Sequence, residues 1–258
     1  MTAAPIHLGG HRLLLDPLGG AFLPEAGALI VADLHFEKGS ACARRGQLVP
    51  PWDTVATLDR LALLMRRYRP RTVVALGDSF HDRHGAGRMA VHDKVLLGAM
   101  TEAAAFVWVL GNHDPVPPAG LPGVAAEEWV HEGLVFRHQA LTRAGGARAG
   151  GTRTAGGGEL CGHHHPKASI ETRAGRVTRP CFVLDQHRLM LPALGAYTGG
   201  LDVCNPAIAR LFPRGGRAFL LGQGRLFSFT LAQAMGAQVA EAQVGGPAMT
   251  AMPAATVR

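Results

Sequence analysis

Five short polar clusters carry the chemistry this chain could perform: Asp33-Leu34-His35, Gly77-Asp78, Gly111-Asn112-His113-Asp114, His138, and Gly162-His163-His164-His165. Asp33 and His35 are two residues apart, so on an extended segment they face the same side and can grip one ion. Asp78 has two carboxylate oxygens and can bridge two ions. Asn112 offers a neutral oxygen to the second ion, and histidines from later loops complete both shells. Oxygen and imidazole donors together suit Mn²⁺, Fe or Zn²⁺ better than Ca²⁺, and the lack of thiolates argues against a structural zinc. Two ions roughly 3.5–4 Å apart can hold a hydroxide between them and clamp a phosphate for in-line attack. His113 follows a candidate ligand without being needed as one. It can act as general acid on the leaving oxygen, with Asp114 holding its tautomer. Asn112, His113 and His81 are the candidates for contact with the substrate.

Each piece alone has an ordinary structural account. An Asp-x-His arises by chance, a Gly-Asp after a strand is usually a capped turn, and His138 could be a satisfied buried histidine. Gly-Asn-His-Asp is more specific, because polar residues rarely crowd a strand end without a task. The weight lies in their order and in their common position at strand ends.

The elements that must hold them follow from the apolar patterning. Ala28 to Ala32, Thr72 to Leu76 and Phe106 to Leu110 are short apolar runs that stop at the first three clusters, and they read as buried strands. Asp53 to Tyr68 places Leu58, Leu61, Leu64 and Met65 at helical spacing, and Met89 to Met100 repeats the pattern. Alternating strands and helices imply parallel βαβ units, whose ligand-binding loops lie at the C-terminal strand ends. Beyond them, Leu134 to Arg137, Cys181 to Leu184, Leu189 to Leu191, Ala218 to Leu221 and Leu226 to Thr230 read as strands of a second, more antiparallel sheet. Pieces around Leu13 and Phe22 join one of the two sheets. The sum is an α/β domain over residues 1–244, two sheets face to face with helices outside. A Gly- and Arg-rich loop at 143–158 and a frayed tail at 245–258 complete the chain.

Bulk properties narrow the class. The 258 residues, 47% hydrophobic and 17% charged, suit a globular protein with a sizeable core. No apolar run is long enough to span a bilayer and the start lacks a signal-peptide pattern, so a cytoplasmic, membrane-free protein is expected. Cys42, Cys161, Cys181 and Cys204 stand far apart, which fits reduced thiols. The formal charge is +7, nearly all of it from arginine, since Lys38, Lys94 and Lys167 are the only lysines. Such a balance favours polyanionic partners, although arginine enrichment of a GC-rich genome explains it equally well.

The ordered clusters resemble the signature of the calcineurin-like metallophosphoesterase superfamily: D-x-H, G-D, G-N-H-[DE], H, G-H-x-H. The resemblance implies a four-layer αββα sandwich of two mixed sheets flanked by helices. It assigns Asp33, His35, Asp78 and His165 to a first metal, and Asp78, Asn112, His138 and His163 to a second. His113 becomes the catalytic histidine. One departure is visible: the usual second aspartate of G-D-x-x-D is replaced by His81, with Asp82 one residue later, which leaves their roles open. His131 is a weaker competitor for the place of His138.

A narrower resemblance extends through Asp33-Leu34-His35-Phe36-Glu37-Lys38-Gly39, Gly77 to Asp82 and Leu191 to Asp202 to ligase-associated DNA-damage-response endonucleases. It implies a Mn²⁺-dependent nuclease of a bacterial repair cluster whose partners are a DNA ligase, a helicase and an exonuclease. DNA, single-stranded or structured, would be the substrate, its backbone held by Arg44, Arg45 or arginines at 143–153, and Phe80 stacks on a base or belongs to the core. The alternatives are a phosphodiesterase or phosphatase acting on nucleotides or other small phosphate esters, and a binding scaffold without chemistry. The full set of ligand positions speaks against the scaffold.

Overall fold

The computed structural model of the chain describes residues 2–116, 118, 120–141, 157–173 and 175–234. The expected tail at 245–258 and all but the last two residues of the loop at 143–158 lie outside them.

The first sheet is assembled in chain order. Strands β1 (Ala4–Leu8), β2 (His11–Leu15) and β3 (Ala21–Leu23) form an antiparallel meander that delivers the chain to β4 (Ala28–Val31). From β4 the sheet turns parallel through β5 (Thr72–Leu76), β6 (Ala105–Val109) and β7 (Val124–Ala126). The crossovers carry α1 (Lys38–Ala43), α2 (Asp53–Tyr68), α3 (Gly85–Arg88) and α4 (Val91–Ala103).

Why the parallel strands read as unbroken apolar runs is now plain: both of their faces are covered. In β4, Ala28 and Ile30 point to the second sheet, while Leu29 and Val31 meet the helices; in β5, Val74 and Leu76 alternate with Val73 and Ala75 in the same way. Leu58, Leu61 and Leu64 of α2 and Leu97 and Met100 of α4 close the outer face. Each such buried side chain contributes roughly 1.5–3 kcal/mol. The α2 helix ends where Arg69 takes a left-handed conformation (φ 44°) and bonds back to the Met65 carbonyl, with Pro70 preventing continuation.

The second sheet is mixed. Strands β8 (Glu128–His131), β9 (Leu134–Arg137), β10 (Glu159–Cys161), β11 (Lys167–Thr172), β12 (Gly175–Leu184), β13 (Arg188–Met190), β14 (Arg217–Leu221) and β15 (Leu226–Thr230) build it in the spatial order β15-β14-β12-β13-β10-β9-β8, with β11 on β12. Its central pairs β9–β10 and β10–β13 are parallel and the others antiparallel. Leu134, Phe136, Leu160, Phe182 and Leu189 meet Ile30, Val74 and Val107 across the space between the sheets. The outer layer here is thin, made of α5 (Pro206–Ala209) and a helical turn at 231–234, with Ile208, Phe212 and Leu231 over Val183 and Leu220. The αββα layering is thus that expected. The strands called β1, β7, β8, β10 and β11 escape sequence reading because they are short or pair mainly at edges.

One buried carboxylate fixes the meander to α2. Asp16 is fully buried and accepts from the Arg67 guanidinium, from Tyr68 OH (2.7 Å) and from the Leu18 backbone N–H (2.8 Å). Asp16→Ala is expected to lower stability by about 2 kcal/mol, because Tyr68 loses its acceptor while Arg67 can still turn to water. A thermal melt should show Tm falling by roughly 4–8 °C; an unchanged Tm would mean the network carries no net stability.

Candidate metal centre

All the polar clusters lie at one end of the two-sheet core. The ladder between β4 and β5 continues past the strand ends: His35 N–H donates to the Asp78 carbonyl (2.9 Å), Phe36 N–H to Ser79 (2.9 Å) and His81 N–H to Phe36 (2.9 Å). The Asp33 loop is therefore clamped beside the Asp78 loop. From the second sheet, the His163 N–H donates to both oxygens of Asp33 (3.2 and 2.9 Å).

The backbone at this end is unusual. Asp33, His35, Asp78, His163 and His165 all have positive φ, between 44° and 74°. Single left-handed residues without glycine cost of order 1–3 kcal/mol each and gather where tertiary structure holds a site in place. Two glycines supply close approach. A Cβ on Gly77 (φ +73°) would stand 2.4 Å from the His138 ring, and one on Gly111 would stand 2.2 Å from both the Asp78 backbone nitrogen and its Oδ1.

The proposed ligands collect into two groups that meet at Asp78, and His35 also stands in a third group of close donor atoms with His81 and His113. In the first, the donor atoms of Asp33, His35 and His165 lie within 4.8 Å of one another, with His35 Nε2 3.2 Å from His165 Nε2 and His165 Nε2 3.4 Å from Asp33 Oδ1. The second joins Asp78, His138 and His163, with His138 Nε2 3.1 Å from His163 Nδ1, 2.9 Å from Asn112 Oδ1 and 3.4 Å from Asp78 Oδ2. The same Asp78 oxygen lies 3.9 Å from His35 Nε2, so it faces both groups. Every candidate ligand is brought into one or the other.

Electrostatics follow from burial and from these neighbours. Burial first, and then the neighbouring His165, pushes the His35 imidazole down to about 2. Burial and the charge of His138 take His163 down to about 4. At His138 burial also opposes the charge, but the Asp78 carboxylate and the charge of Asp33 outweigh it and raise the group to about 9. Its Nδ1–H is held by the Leu76 carbonyl (2.9 Å), which leaves Nε2 facing the second group. Among the described residues this is a donor set of oxygens and imidazoles without thiolate, and His35 Nδ1 is buried with no hydrogen-bond partner among them. Such a set fits a pair of divalent transition ions.

His113 lies at the solvent edge. Its backbone N–H donates to Asp78 Oδ1 (2.9 Å), and its ring stands 5.2 Å from those of His35 and His81. Its Nδ1–H donates to the His81 carbonyl (2.8 Å). The expectation that Asp114 holds this tautomer is therefore corrected. Asp114 instead accepts the Phe80 backbone N–H (3.0 Å) and braces the Asp78 loop from below. Burial raises its carboxyl to about 6, against the hydrogen bond from Phe80. Phe80 is buried in the core, not offered to a base.

His81 and Asp82 part ways. His81 is buried beside His35 and His113, and burial, then the charge of Lys38, lowers it to about 4. Asp82 turns outward and pairs with both terminal nitrogens of Arg88 (2.9 and 2.8 Å). His131 stacks on Trp129 in β8 and belongs to neither metal group. Leu191 to Asp202 packs beneath the centre: Gly195 N–H reaches the Asp33 carbonyl (3.1 Å) and Leu201 N–H that of His164 (3.1 Å). Sequence reading missed the carbonyls of Leu76 and His81, which set two imidazole tautomers, because any residue type offers the same carbonyl. It also missed Arg88, whose partner is visible only in space.

A further group, His11, Glu25 and Glu132, has metal-like proximity. Both His11 nitrogens are already engaged, by Glu25 (2.9 Å) and by the Glu132 carbonyl (2.9 Å), and the first of these raises its pKa. It is an ion pair joining the two sheets.

Comparison with known proteins agrees with this architecture. The structure of Pseudomonas putida nuclease MPE is similar over 88% of this chain and 100% of that one, with 27% identity and a TM-score of 0.66. Yfce, a phosphoesterase from E. coli, aligns over 78% of this chain and 97% of its own, but at 14% identity and a TM-score of 0.39 the likeness carries no weight. Among curated proteins no match is found. The family model of the calcineurin-like phosphoesterases matches residues 28–192, which span every cluster described above. The chain belongs to the calcineurin-like phosphoesterases and is a metal-dependent hydrolase of that family.

Proposed function

We propose that the protein is a Mn²⁺-dependent phosphodiesterase that cleaves DNA internally. The observation that carries this reading is the pair of donor groups sharing Asp78, with His113 at their solvent edge. Asp33, His35, Asp78 and His165 would hold one ion, and Asp78, Asn112, His138 and His163 the other. When bound, two such ions supply Lewis acidity to a phosphoryl oxygen and lower the pKa of water enough to make a nucleophile at neutral pH. The chain supplies the rest. His113, anchored through Nδ1–H on the His81 carbonyl, presents Nε2 to the leaving oxygen and delivers the proton it needs. His81 and Asn112 line the approach to it.

The likeness to a nuclease of known structure supports a nucleic acid as substrate, and the chain's net positive charge is consistent with it. The segments shared with the ligase-associated endonucleases of the PdeM type support a place in DNA repair, beside a DNA ligase, a helicase and an exonuclease. No helix among the described residues is long and apolar enough to cross a membrane, which accords with action in the cytoplasm. We take residues 1–244 as one catalytic domain.

The test is metal-stripped protein given Mn²⁺, circular single-stranded DNA and, separately, bis-p-nitrophenyl phosphate. Nicking of the closed circle only with Mn²⁺ is expected. Turnover of the small ester beside an intact circle would replace the endonuclease with a small-ester phosphodiesterase.

Ion binding should depend on pH. At neutral pH the metal-free His138 is protonated, since its pKa is raised to about 9, and it must lose that proton to ligate. His35 and His163, lowered to about 2 and 4, are already neutral. Apparent Mn²⁺ affinity should therefore rise about tenfold per pH unit from pH 7 and level off above pH 9. Calorimetry in buffers of different ionisation enthalpy would read the released proton; an affinity flat between pH 7 and 9 would contradict the assignment.

A further inference from the structure

The loops that carry His35 and His81 run on into two segments facing one another across a pocket of about 320 Å³. The end of α1 contributes Arg44 and Arg45, the stretch leading into α3 contributes Asp82 and Arg83, and the last residue of α3 is Arg88.

The floor of this pocket is rigidly built. Arg88 grips Asp82 with both terminal nitrogens and donates from Nε to Ser40 Oγ (3.0 Å), which ties α3 to α1. Ser40 Oγ in turn donates to Glu37 Oε2 (2.7 Å), and Asp82 also accepts the His84 backbone N–H (2.8 Å). The one lining carboxylate is thus consumed by one of four arginines. Arg44, Arg45 and Arg83 have no carboxylate partner among the described residues, and all three are exposed.

Three uncompensated guanidinium groups around one concavity repel each other, and an anion seated among them relieves that repulsion. Their planar forks match phosphate oxygens. The pocket also adjoins the catalytic end. Asp82 directly follows His81, whose imidazole is depressed by burial and then by the charges of Lys38, His113 and Arg45.

We propose that this pocket is a second phosphate subsite, which receives the phosphate next to the scissile one and so selects polynucleotides over small esters. The assignment rests on the phosphodiesterase reading above and deepens it. Phosphate contacts of this kind add affinity without reading sequence, so their effect belongs in KM.

The experiment compares wild type with the Arg44→Ala, Arg45→Ala, Arg83→Ala triple variant on four substrates. These are a thymidine dinucleotide with one internal phosphodiester, the same dinucleotide with an added 5′-phosphate, the same with an added 3′-phosphate, and the trinucleotide. In wild type, the trinucleotide and one of the phosphorylated dinucleotides should show KM about tenfold below that of the bare dinucleotide, with similar kcat. In the variant these KM values should converge. An advantage that survives the triple substitution overturns the subsite, as does its absence in wild type. An advantage for terminal phosphates without one for the trinucleotide overturns the polynucleotide assignment.

A binding measurement keeps the proposal apart from the phosphodiesterase reading. Fluorescence anisotropy of a labelled oligothymidylate, in chelator and over a salt series, needs no turnover. The variant should bind about tenfold more weakly with a shallower salt slope; equal affinity and slope would overturn the subsite even if the enzyme cleaves DNA. If wild type cleaves none of the substrates, the phosphodiesterase reading falls, and the anisotropy alone then decides the pocket. Since the three arginines lie at the surface, the variant's Tm should match wild type, which checks that it is folded.

Discussion

Asp78→Asn should reduce bound Mn²⁺ from two ions per chain to one or none and lower DNA cleavage by roughly 10³–10⁴-fold, equivalent to several kcal/mol of transition-state stabilisation. One carboxylate oxygen of Asp78 lies 3.4 Å from His138 Nε2 and 3.9 Å from His35 Nε2, so this residue joins the two donor groups. An amide keeps one oxygen, and so continues to accept the His113 backbone N–H that Oδ1 accepts at 2.9 Å. It cannot serve both groups as a charged oxygen. The fold should therefore survive while the centre is lost. In the metal-free protein the substitution also removes the hydrogen bond and the charge that raise His138, so that group should titrate below its value of about 9. Metal analysis, activity and an NMR titration of His138 together read the effect. Two bound ions with near-normal activity would refute the shared role.

His113→Ala should leave both ions bound and cut kcat on DNA by about 10²–10⁴-fold, the usual worth of a positioned general acid. The ring is exposed at the solvent edge and stands beside His35 and His81 without belonging to either proposed ligand set, and its side-chain hydrogen bond among the described residues is to the His81 carbonyl. Its loss should therefore cost stability about 1 kcal/mol or less. A leaving group that needs no proton supplies a sharper criterion. With bis-p-nitrophenyl phosphate, whose leaving phenolate is stable unprotonated, the same variant should lose far less than on DNA. Equal losses on both substrates would assign His113 to holding the phosphate instead of protonating the leaving oxygen.

Much of the fold is legible in the residues for simple physical reasons. The runs at Ala28, Thr72 and Phe106 are apolar without a break because a parallel strand covered on both faces has no polar side to show. The spacing of Leu58, Leu61 and Leu64 marks α2 because one face of that helix meets the sheet. Where both signals are weak, as in the three-residue strands Val124–Ala126 and Glu159–Cys161, the elements exist only through their neighbours.

The residue types and order of the clusters, from Asp33 to His165, were set by the sequence alone, since a donor's chemistry belongs to its side chain. Which donors face one another was decided by tertiary structure. His138 meets Asp78 and Asn112 only because the second sheet packs against the first, and because Gly77 leaves space for its ring. Asp and His enter the left-handed region more readily than most residues, but that Asp33, His35, Asp78, His163 and His165 do so here is decided by the interlocked loops. The partner of His113 is a carbonyl, not Asp114, and a carbonyl is identical in every residue. Arg44, Arg45 and Arg83, without a carboxylate partner among the described residues, look like any other basic surface until folding brings α1 and α3 to the same pocket and gives its lining carboxylate, Asp82, to Arg88.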